Sequence, residues 1–150
     1  MGFQTKIASN SFEDTFAAGK RIAALLKPGS VIALCGALGS GKTCFVKGIA
    51  KGLGIDETIT SPTYTIINEY NYQPEKNEKE AVFYHIDAYR LENDKDFEDI
   101  GGLDILNSNG ISAIEWSGRI SKSLPPDVIT ITIEITGADS RLIEVTGLEL

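Results

Sequence analysis

The stretch GALGSGKT, residues 36–43, satisfies the pattern G-x-x-x-x-G-K-[ST]. A short apolar run, Val31 to Cys35, precedes it, and apolar residues at helical spacing follow from Lys42. Glycines let a backbone wrap closely around phosphate oxygens, and a helix that follows directs its positive N-terminal end at them. A chance match in a glycine-rich turn is the alternative, and the predicted strand and helix on either side disfavour it. The sequence therefore predicts a loop that binds a polyphosphate.

The residue types of this loop each suit a phosphate ligand. Backbone N–H groups from Leu38 to Thr43 are predicted to point inward, so the candidate nucleotide-binding residues are Leu38, Gly39, Ser40, Gly41, Lys42 and Thr43. Lys42 can reach the β- and γ-phosphates as a point charge, and the Thr43 hydroxyl is suited to holding Mg²⁺.

The remaining pattern predicts an α/β fold, a three-layer P-loop NTPase-like mixed sheet flanked by helices, in one domain over residues 1–150. The segment from Asp96 to Leu106 is ambiguous because Gly101 and Gly102 interrupt it. The predicted helices cover residues 12–27, 42–53 and 117–123, and the predicted strands cover residues 31–35, 64–72, 81–86, 111–116, 128–135 and 142–146.

Composition limits the classes of function. The 150 residues carry a net charge of −7, which disfavours unaided binding to nucleic acid. No window approaches the length of an apolar membrane span, and the N-terminus lacks a secretory pattern, so we expect a cytoplasmic protein. The two cysteines, Cys35 and Cys44, lack metal-ligand spacing and are expected to be reduced thiols of the core.

Two carboxylates end predicted strands. Asp87 follows Val82 to Ile86, and Glu115 follows Ile111 to Ile114, so both are expected at the sheet edge beside the loop. Either could be an ordinary strand-end residue, although a carboxylate in an apolar run is costly to bury without a cation. His85, in the middle of its strand, is interpreted as a structural hydrogen-bonding residue rather than a ligand or a base.

Two familiar classes of phosphate-loop protein fit poorly. Asp99 to Gly102 matches the short D-x-x-G pattern of regulatory GTPases, but the guanine-reading N-K-x-D is missing. A small-molecule kinase usually needs further basic residues in a lid, whereas this chain has four arginines and little room for an acceptor domain. The segment from Thr60 to Thr63 follows the predicted loop helix, where switch segments sense a γ-phosphate, although a plain turn would also explain it.

Four motifs in order, GALGSGKT, SPTYTIINEY, HIDAYRL and IEW, resemble the TsaE (YjeE) family of bacterial tRNA threonylcarbamoyladenosine synthesis, over about residues 9–120. The resemblance implies a cytoplasmic Mg-ATPase whose partners are the TsaD and TsaB proteins, with tRNA contacted only indirectly through that complex. It assigns nucleotide and metal roles to Lys42 and Thr43, a magnesium-linked role to Glu115 and an essential role to Asp87. It also marks Thr63 and Trp116 as further nucleotide-site positions. The segment around Ser11 to Thr15 resembles the family's N-terminal turn near the adenine, and Ser11 is its candidate binding residue.

The mechanism that we expect uses ATP and Mg²⁺ as cofactors. Thr43 and Glu115 hold the metal, Lys42 stabilises charge on the γ-phosphate, and Asp87 orients the attacking water, although the two carboxylates could exchange roles. Because no arginine lies in a recognisable finger motif, slow hydrolysis by the isolated protein is expected, with faster hydrolysis beside a partner. The remaining alternatives are a nucleotide-dependent assembly module that needs no hydrolysis and a small-molecule kinase.

Overall fold

The computed structural model of the protein describes residues 3–62, 66–75 and 78–150. Two short 3-10 segments, Ala88–Arg90 and Ser117–Ser123, each follow a strand. The strands are β1 (Gln4–Ser9), β2 (Val31–Cys35), β3 (Ile67–Tyr72), β4 (Ala81–Asp87), β5 (Ile111–Glu115), β6 (Ile129–Ile135) and β7 (Arg141–Thr146). The helices are α1 (Phe12–Ala23), α2 (Lys42–Gly52), α3 (Asp94–Asp99) and α4 (Gly102–Leu106).

One mixed sheet holds the seven strands in the order β1-β7-β6-β2-β5-β4-β3. The four central strands are parallel, because β2 pairs with β5 and β6, and β5 pairs with β4. The outer strands β1, β7 and β3 run antiparallel to their neighbours. The carboxyl ends of β2, β5 and β4 therefore meet at one edge, which is where parallel α/β sheets bind ligands.

The sheet is covered on both faces. On one face, Ile22 of α1 and Phe45 and Ile49 of α2 pack in the same cluster as alternate residues of the central strands. On the other face, Phe97 of α3 and Leu106 of α4 pack with Val31, Ile86, Ile114 and Ile120. Strands buried on both faces need continuous apolar runs, which is why Val31 to Cys35 lacks polar alternation. The prediction of a mixed α/β sheet flanked by helices is confirmed.

Helices α1 and α2 are in close backbone contact through glycines. A Cβ atom at Gly48 would lie 2.1 Å from the carbonyl oxygen of Phe16, and one at Gly19 would lie 2.2 Å from that of Phe45. Real side chains do not fit at such distances, so only glycine allows the two helices to approach this closely. The contact holds the N-terminal end of α1 beside the loop that precedes α2.

The structure corrects several predicted boundaries. Helix α1 ends at Ala23 rather than at residue 27, because the chain tightens into i to i+3 bonds, with Leu25 N–H donating to Ile22 O at 2.9 Å. The ambiguous segment forms α3 and α4, which Gly101 separates with a φ of +84°. Strand β3 begins at Ile67, and the first residues of the predicted strand, 64 and 65, lie outside the described residues.

Strand β1 was not predicted at all. Its inward positions, Thr5, Ile7 and Ser9, include one large apolar side chain, which is too weak a pattern to identify a strand. Pairing with β7 over six residue pairs stabilises it instead.

Within the described residues, no helix combines the length and the apolar character that crossing a bilayer requires.

Candidate active site

A cavity of about 710 Å³ lies at the edge where β2, β4 and β5 end and where α1 and α2 begin. Its volume is in the range of small-ligand and cofactor sites. Thr63 lies outside the described residues, whereas Ser61 of the same predicted segment lines the cavity. The other predicted site residues all line it, and they are Ser11, Leu38, Gly39, Ser40, Gly41, Lys42, Thr43, Asp87, Glu115 and Trp116.

The backbone of residues 36–43, the predicted phosphate loop, depends on glycine at specific positions. Gly39 and Gly41 have φ values of +80° and +108°, a region that other residues rarely adopt. Gly41 is the N-cap of α2, so the first N–H groups of that helix open towards the loop. The Ser40 N–H donates to Ala37 O at 3.0 Å, so the expectation that every N–H from residue 38 to 43 points inward is wrong for Ser40.

The Lys42 ammonium group is buried but keeps its charge available. Only 8% of the residue is exposed, and Nζ donates to Gly36 O at 2.7 Å. Nζ also lies 4.8 Å from the ring centroid of Trp116, a cation–π contact. Among the described residues, no carboxylate lies within ion-pairing distance of Nζ. Its positive charge is therefore not neutralised by the protein and attracts an anionic ligand.

The two predicted carboxylates are neighbours across the sheet. Asp87 and Glu115 are directly paired residues of the parallel strands β4 and β5, and Glu115 is also paired with Leu34 of β2. Side chains alternate along a strand, so Glu115 lies on the face of Ile111 and Ala113, which α1 and α2 cover. Both carboxylates thereby reach the cavity from the same side as Lys42 and Thr43.

Each carboxylate is held by a hydrogen bond. Oδ1 of Asp87 accepts the Tyr89 N–H at 3.0 Å and so caps the 3-10 segment that follows β4. Oε2 of Glu115 lies 2.7 Å from Nε2 of His85, and this pair is buried. A carboxylate oxygen accepts, so Nε2 of His85 is the donor of this bond, and within the described part of the chain Nδ1 has no hydrogen-bond partner. His85 therefore orients a cavity carboxylate and is not itself part of the cavity wall.

The oxygen donors of the cavity suit a metal that is shared with a phosphate ligand. No cluster of three or more His, Cys, Asp or Glu side chains able to hold a metal occurs within the described residues. The hydroxyl of Thr43 and the carboxylates of Glu115 and Asp87 do line one cavity. Mg²⁺ is typically bound by one or two carboxylates together with substrate phosphates and water. This donor set fits that mode and lacks the ligands for a metal held by protein alone.

The opposite walls contain side chains that the sequence did not single out as site residues. Phe12 and Thr15 come from the first turns of α1, where the Ser11 side chain accepts the Asp14 N–H at 3.0 Å and caps the helix. The rings of Tyr89 and Trp116 are in tilted contact, with centroids 5.0 Å apart and planes inclined at 58°, and both rings are partly exposed. Phe12 lies in none of the four motifs, and Tyr89 lies in HIDAYRL but was assigned no role at the site.

The site also borders on one of the cysteines. Cys44 is buried, and its Sγ donates to the carbonyl oxygen of Phe12 at 3.3 Å. Burial raises the pKa of the Cys44 thiol, and the nearby Glu13 carboxylate adds to the rise while Lys47 opposes it. Both cysteines are free, but Cys35 is only half-buried, so the expectation of two core thiols is confirmed for Cys44 alone.

Comparison with known proteins addresses the family directly. A family model described as threonylcarbamoyl adenosine biosynthesis protein TsaE matches residues 9–143. The chain belongs to the TsaE family. A TsaE protein of Treponema pallidum is 41% identical over 140 residues, which cover 93% of this chain and 98% of that protein. A TsaE protein of Bacillus subtilis is 42% identical over 135 residues, which cover 90% of this chain and 80% of that protein.

A solved structure has the same fold as this chain. The crystal structure of Bacillus subtilis YdiB is similar to this chain with a TM-score of 0.78 and 35% identity. The similarity covers 99% of this chain and 88% of that one. The family predicted from four short motifs is thus confirmed, and the similarity extends over the C-terminal strands that the motifs did not reach.

Proposed function

We propose that this TsaE-family protein is a Mg-dependent ATPase of tRNA N6-threonylcarbamoyladenosine biosynthesis, acting in the cytoplasm with the TsaD and TsaB proteins. One observation carries the proposal: the phosphate loop, with Lys42 and Thr43, shares a cavity with two carboxylates at adjacent strand ends. A cation, a hydroxyl and two carboxylates around one phosphate-binding loop suit phosphoryl transfer to water. The family to which the chain belongs supports the pathway.

The protein side chains have distinct tasks in this mechanism. The Lys42 ammonium group binds the β- and γ-phosphate oxygens and stabilises the negative charge that develops during transfer. Asp87 orients the attacking water and is itself held in place by the Tyr89 N–H. Thr43 and Glu115 would hold Mg²⁺, which supplies neutralisation of the phosphate charge. Because Asp87 and Glu115 are adjacent, their roles could also be exchanged.

The cavity provides little beyond these groups to accelerate hydrolysis. Among the described residues that line it, Arg141 is the only arginine, and all of its observed hydrogen bonds go to backbone carbonyls. An arginine or other cation that contacts the γ-phosphate accelerates related enzymes by orders of magnitude. We therefore expect slow hydrolysis by the isolated protein and faster hydrolysis when TsaD and TsaB complete or order the site.

Phosphate release from Mg-ATP tests the proposal. The purified protein is assayed alone and with the TsaD and TsaB pair, and Lys42→Ala provides the blank. Release that the partners stimulate, and that the variant lacks, is the expected result. Equal rates with and without partners would contradict partner-completed hydrolysis. Transfer of the γ-phosphate to an acceptor, instead of release as free phosphate, would favour a small-molecule kinase.

A nucleotide-dependent assembly module is the second candidate, because both carboxylates also make structural bonds. Asp87 caps a 3-10 segment and Glu115 is bonded to His85, which are roles that binding without hydrolysis would also require. Asp87→Asn separates the two functions, since the amide oxygen can keep the cap while the negative charge is lost. If hydrolysis is needed, this variant fails to support tRNA modification in a reconstituted system. A pure assembly module retains that support although its phosphate release is lost.

A further inference from the structure

Arg141, the first residue of β7, bridges the phosphate loop and the turn between β6 and β7. Nε donates to Ser40 O at 2.9 Å and Nη2 donates to Gly39 O at 3.2 Å. Nη1 donates to carbonyl oxygens of the turn, those of Gly137 at 3.1 Å, Ala138 at 3.4 Å and Ser140 at 2.8 Å. A planar guanidinium group with five fixed donors can join two loops in this way.

These bonds determine how two consecutive peptide groups of the phosphate loop are oriented. In a trans peptide the C=O and the following N–H point in opposite directions. When Arg141 holds the Ser40 carbonyl oxygen, it directs the Gly41 N–H to the side of the peptide away from the guanidinium group. A rotation of that peptide would replace the N–H by a carbonyl oxygen, which repels phosphate.

The glycines on either side of Ser40 offer little resistance to such a rotation. Glycine adopts positive and negative φ values about equally readily, and Gly39 and Gly41 lie on both sides of Ser40. A Cβ atom at Gly39 would meet nothing within 4 Å, and Leu38 is 91% exposed, so the tip of the loop is not packed against the protein. Ser40 itself is fully buried, so the bonds from Arg141 add to the packing of that side chain and supply the constraint at Gly39, where packing is absent.

Arg141 also keeps its positive charge available. Among the described residues, no carboxylate lies within 4.0 Å of its guanidinium nitrogens, although Asp139 lines the same cavity. An uncompensated cation on the outer side of the loop adds to the attraction of a phosphate ligand.

We propose that Arg141 is a positioning residue for nucleotide binding, which holds the Ser40 carbonyl outward so that the Gly41 N–H faces the phosphates, and which fixes the neighbouring Gly39 carbonyl. The inference rests on the proposed nucleotide site. It predicts an effect on affinity rather than on the chemical step, because Arg141 acts through the loop.

Nucleotide binding by the intact protein tests this role. Trp116, the single tryptophan of the chain, lines the cavity, so its fluorescence reports the binding of Mg-ADP and of a non-hydrolysable ATP analogue. Arg141→Met is expected to weaken both by about tenfold, while kcat at saturating ATP changes little. Arg21→Met, the same change at an exposed residue of α1 that does not line the cavity, is expected to bind like the wild type.

A second variant separates position from charge. Arg141→Lys keeps the charge but lacks the fork that reaches both loops, so it is expected to bind nearly as weakly as Arg141→Met. Amide hydrogen exchange is expected to be faster in residues 36–43 of both variants, and thermal unfolding checks that each is folded. If Arg141→Met is unfolded, nucleotide binding and hydrogen exchange of Arg141→Lys test the proposal instead.

The outcomes distinguish this inference from the proposed function. Wild-type affinity in Arg141→Met, or full recovery in Arg141→Lys, would overturn the positioning role while nucleotide binding by the wild type stands. A wild-type protein that binds neither nucleotide would remove the proposed function, and this inference with it.

Discussion

At the residue scale, the cavity contains polar groups whose directions are set by residues outside it. His85 is fully buried and holds Glu115, while the Tyr89 N–H holds Asp87. Partners of this kind orient ligating carboxylates and are often as important to a metal site as the ligands themselves. The single histidine of the chain is therefore expected to affect metal binding without touching the metal.

Substitution of His85 tests that expectation. His85→Gln places an amide N–H near the position of Nε2 and should keep the bond to Glu115, whereas His85→Phe fills the space without a donor. We expect His85→Phe to raise the Mg²⁺ concentration for half-maximal nucleotide binding by about tenfold or more, and His85→Gln to recover most of the loss. A magnesium titration followed by Trp116 fluorescence measures this. An unchanged magnesium requirement in a folded His85→Phe protein would disprove the orienting role.

At the element scale, the position of α1 decides the shape of the cavity. Phe12 and Thr15 of α1 line it opposite the sheet. A Cβ atom added to Gly41, the N-cap of α2, would lie 3.5 Å from the methyl group of Thr15. Because Gly19 and Gly48 allow direct backbone contact between α1 and α2, the separation of the two helices is fixed by this contact. A wider separation of the helices would enlarge the cavity and weaken its contacts with a ligand.

Gly48→Ala is expected to destabilise the protein. The added methyl group would overlap the Phe16 carbonyl oxygen, and overpacking of this kind costs about 1–3 kcal/mol. The better helix propensity of alanine offsets at most about 1 kcal/mol of that cost. Urea unfolding measures the change in the free energy of unfolding.

Gly118→Ala is the matched control, because a Cβ atom there meets nothing within 4 Å. The change at this position should stay within about 0.5 kcal/mol. Equal stability of the Gly48 and Gly118 variants would show that the two helices can separate without cost.

At the scale of the whole molecule, ligand binding should stabilise the fold, since the cavity is built from both ends of the chain and from its centre. Ser11, Lys42, Glu115 and Arg141 all line it, and unfolding separates them. A ligand that binds the native state alone adds about 2.7 kcal/mol of stability at one hundred times its Kd. The net charge of −7 opposes the binding of an anion, so the local positive charge of the loop has to outweigh it.

Thermal unfolding with and without Mg-ADP checks this expectation. At saturation the midpoint should rise by about 5–10 °C for a protein of this size. Removing Mg²⁺ with EDTA should reduce the rise, because under the proposed function Thr43 and Glu115 would then lose the ion that links them to the phosphates. Lys42→Ala provides the control, and a rise of the same size in that variant would place the stabilising ligand elsewhere.

Patterns local in the chain were predictable from sequence. The phosphate loop, the strand before it and the helix after it follow from apolar spacing and from glycines within about twenty residues. Asp87 and Glu115 were identified because each ends an apolar run, and the direct pairing of the two confirms their predicted location at one sheet edge. The end of α1 was misplaced because Leu25 and Leu26 continue the apolar pattern into a turn.

The sequence by itself determined the α/β class, the family and the loop, since each depends on short motifs or on spacing that is local in the chain. Only the tertiary structure decided which distant groups support the site. His85 and Glu115 are 30 residues apart, and Arg141 reaches Ser40 across 101 residues. Strand order and register bring such pairs together, and no local pattern encodes them, because a strand's apolar residues specify that it is buried but not which neighbour it pairs with.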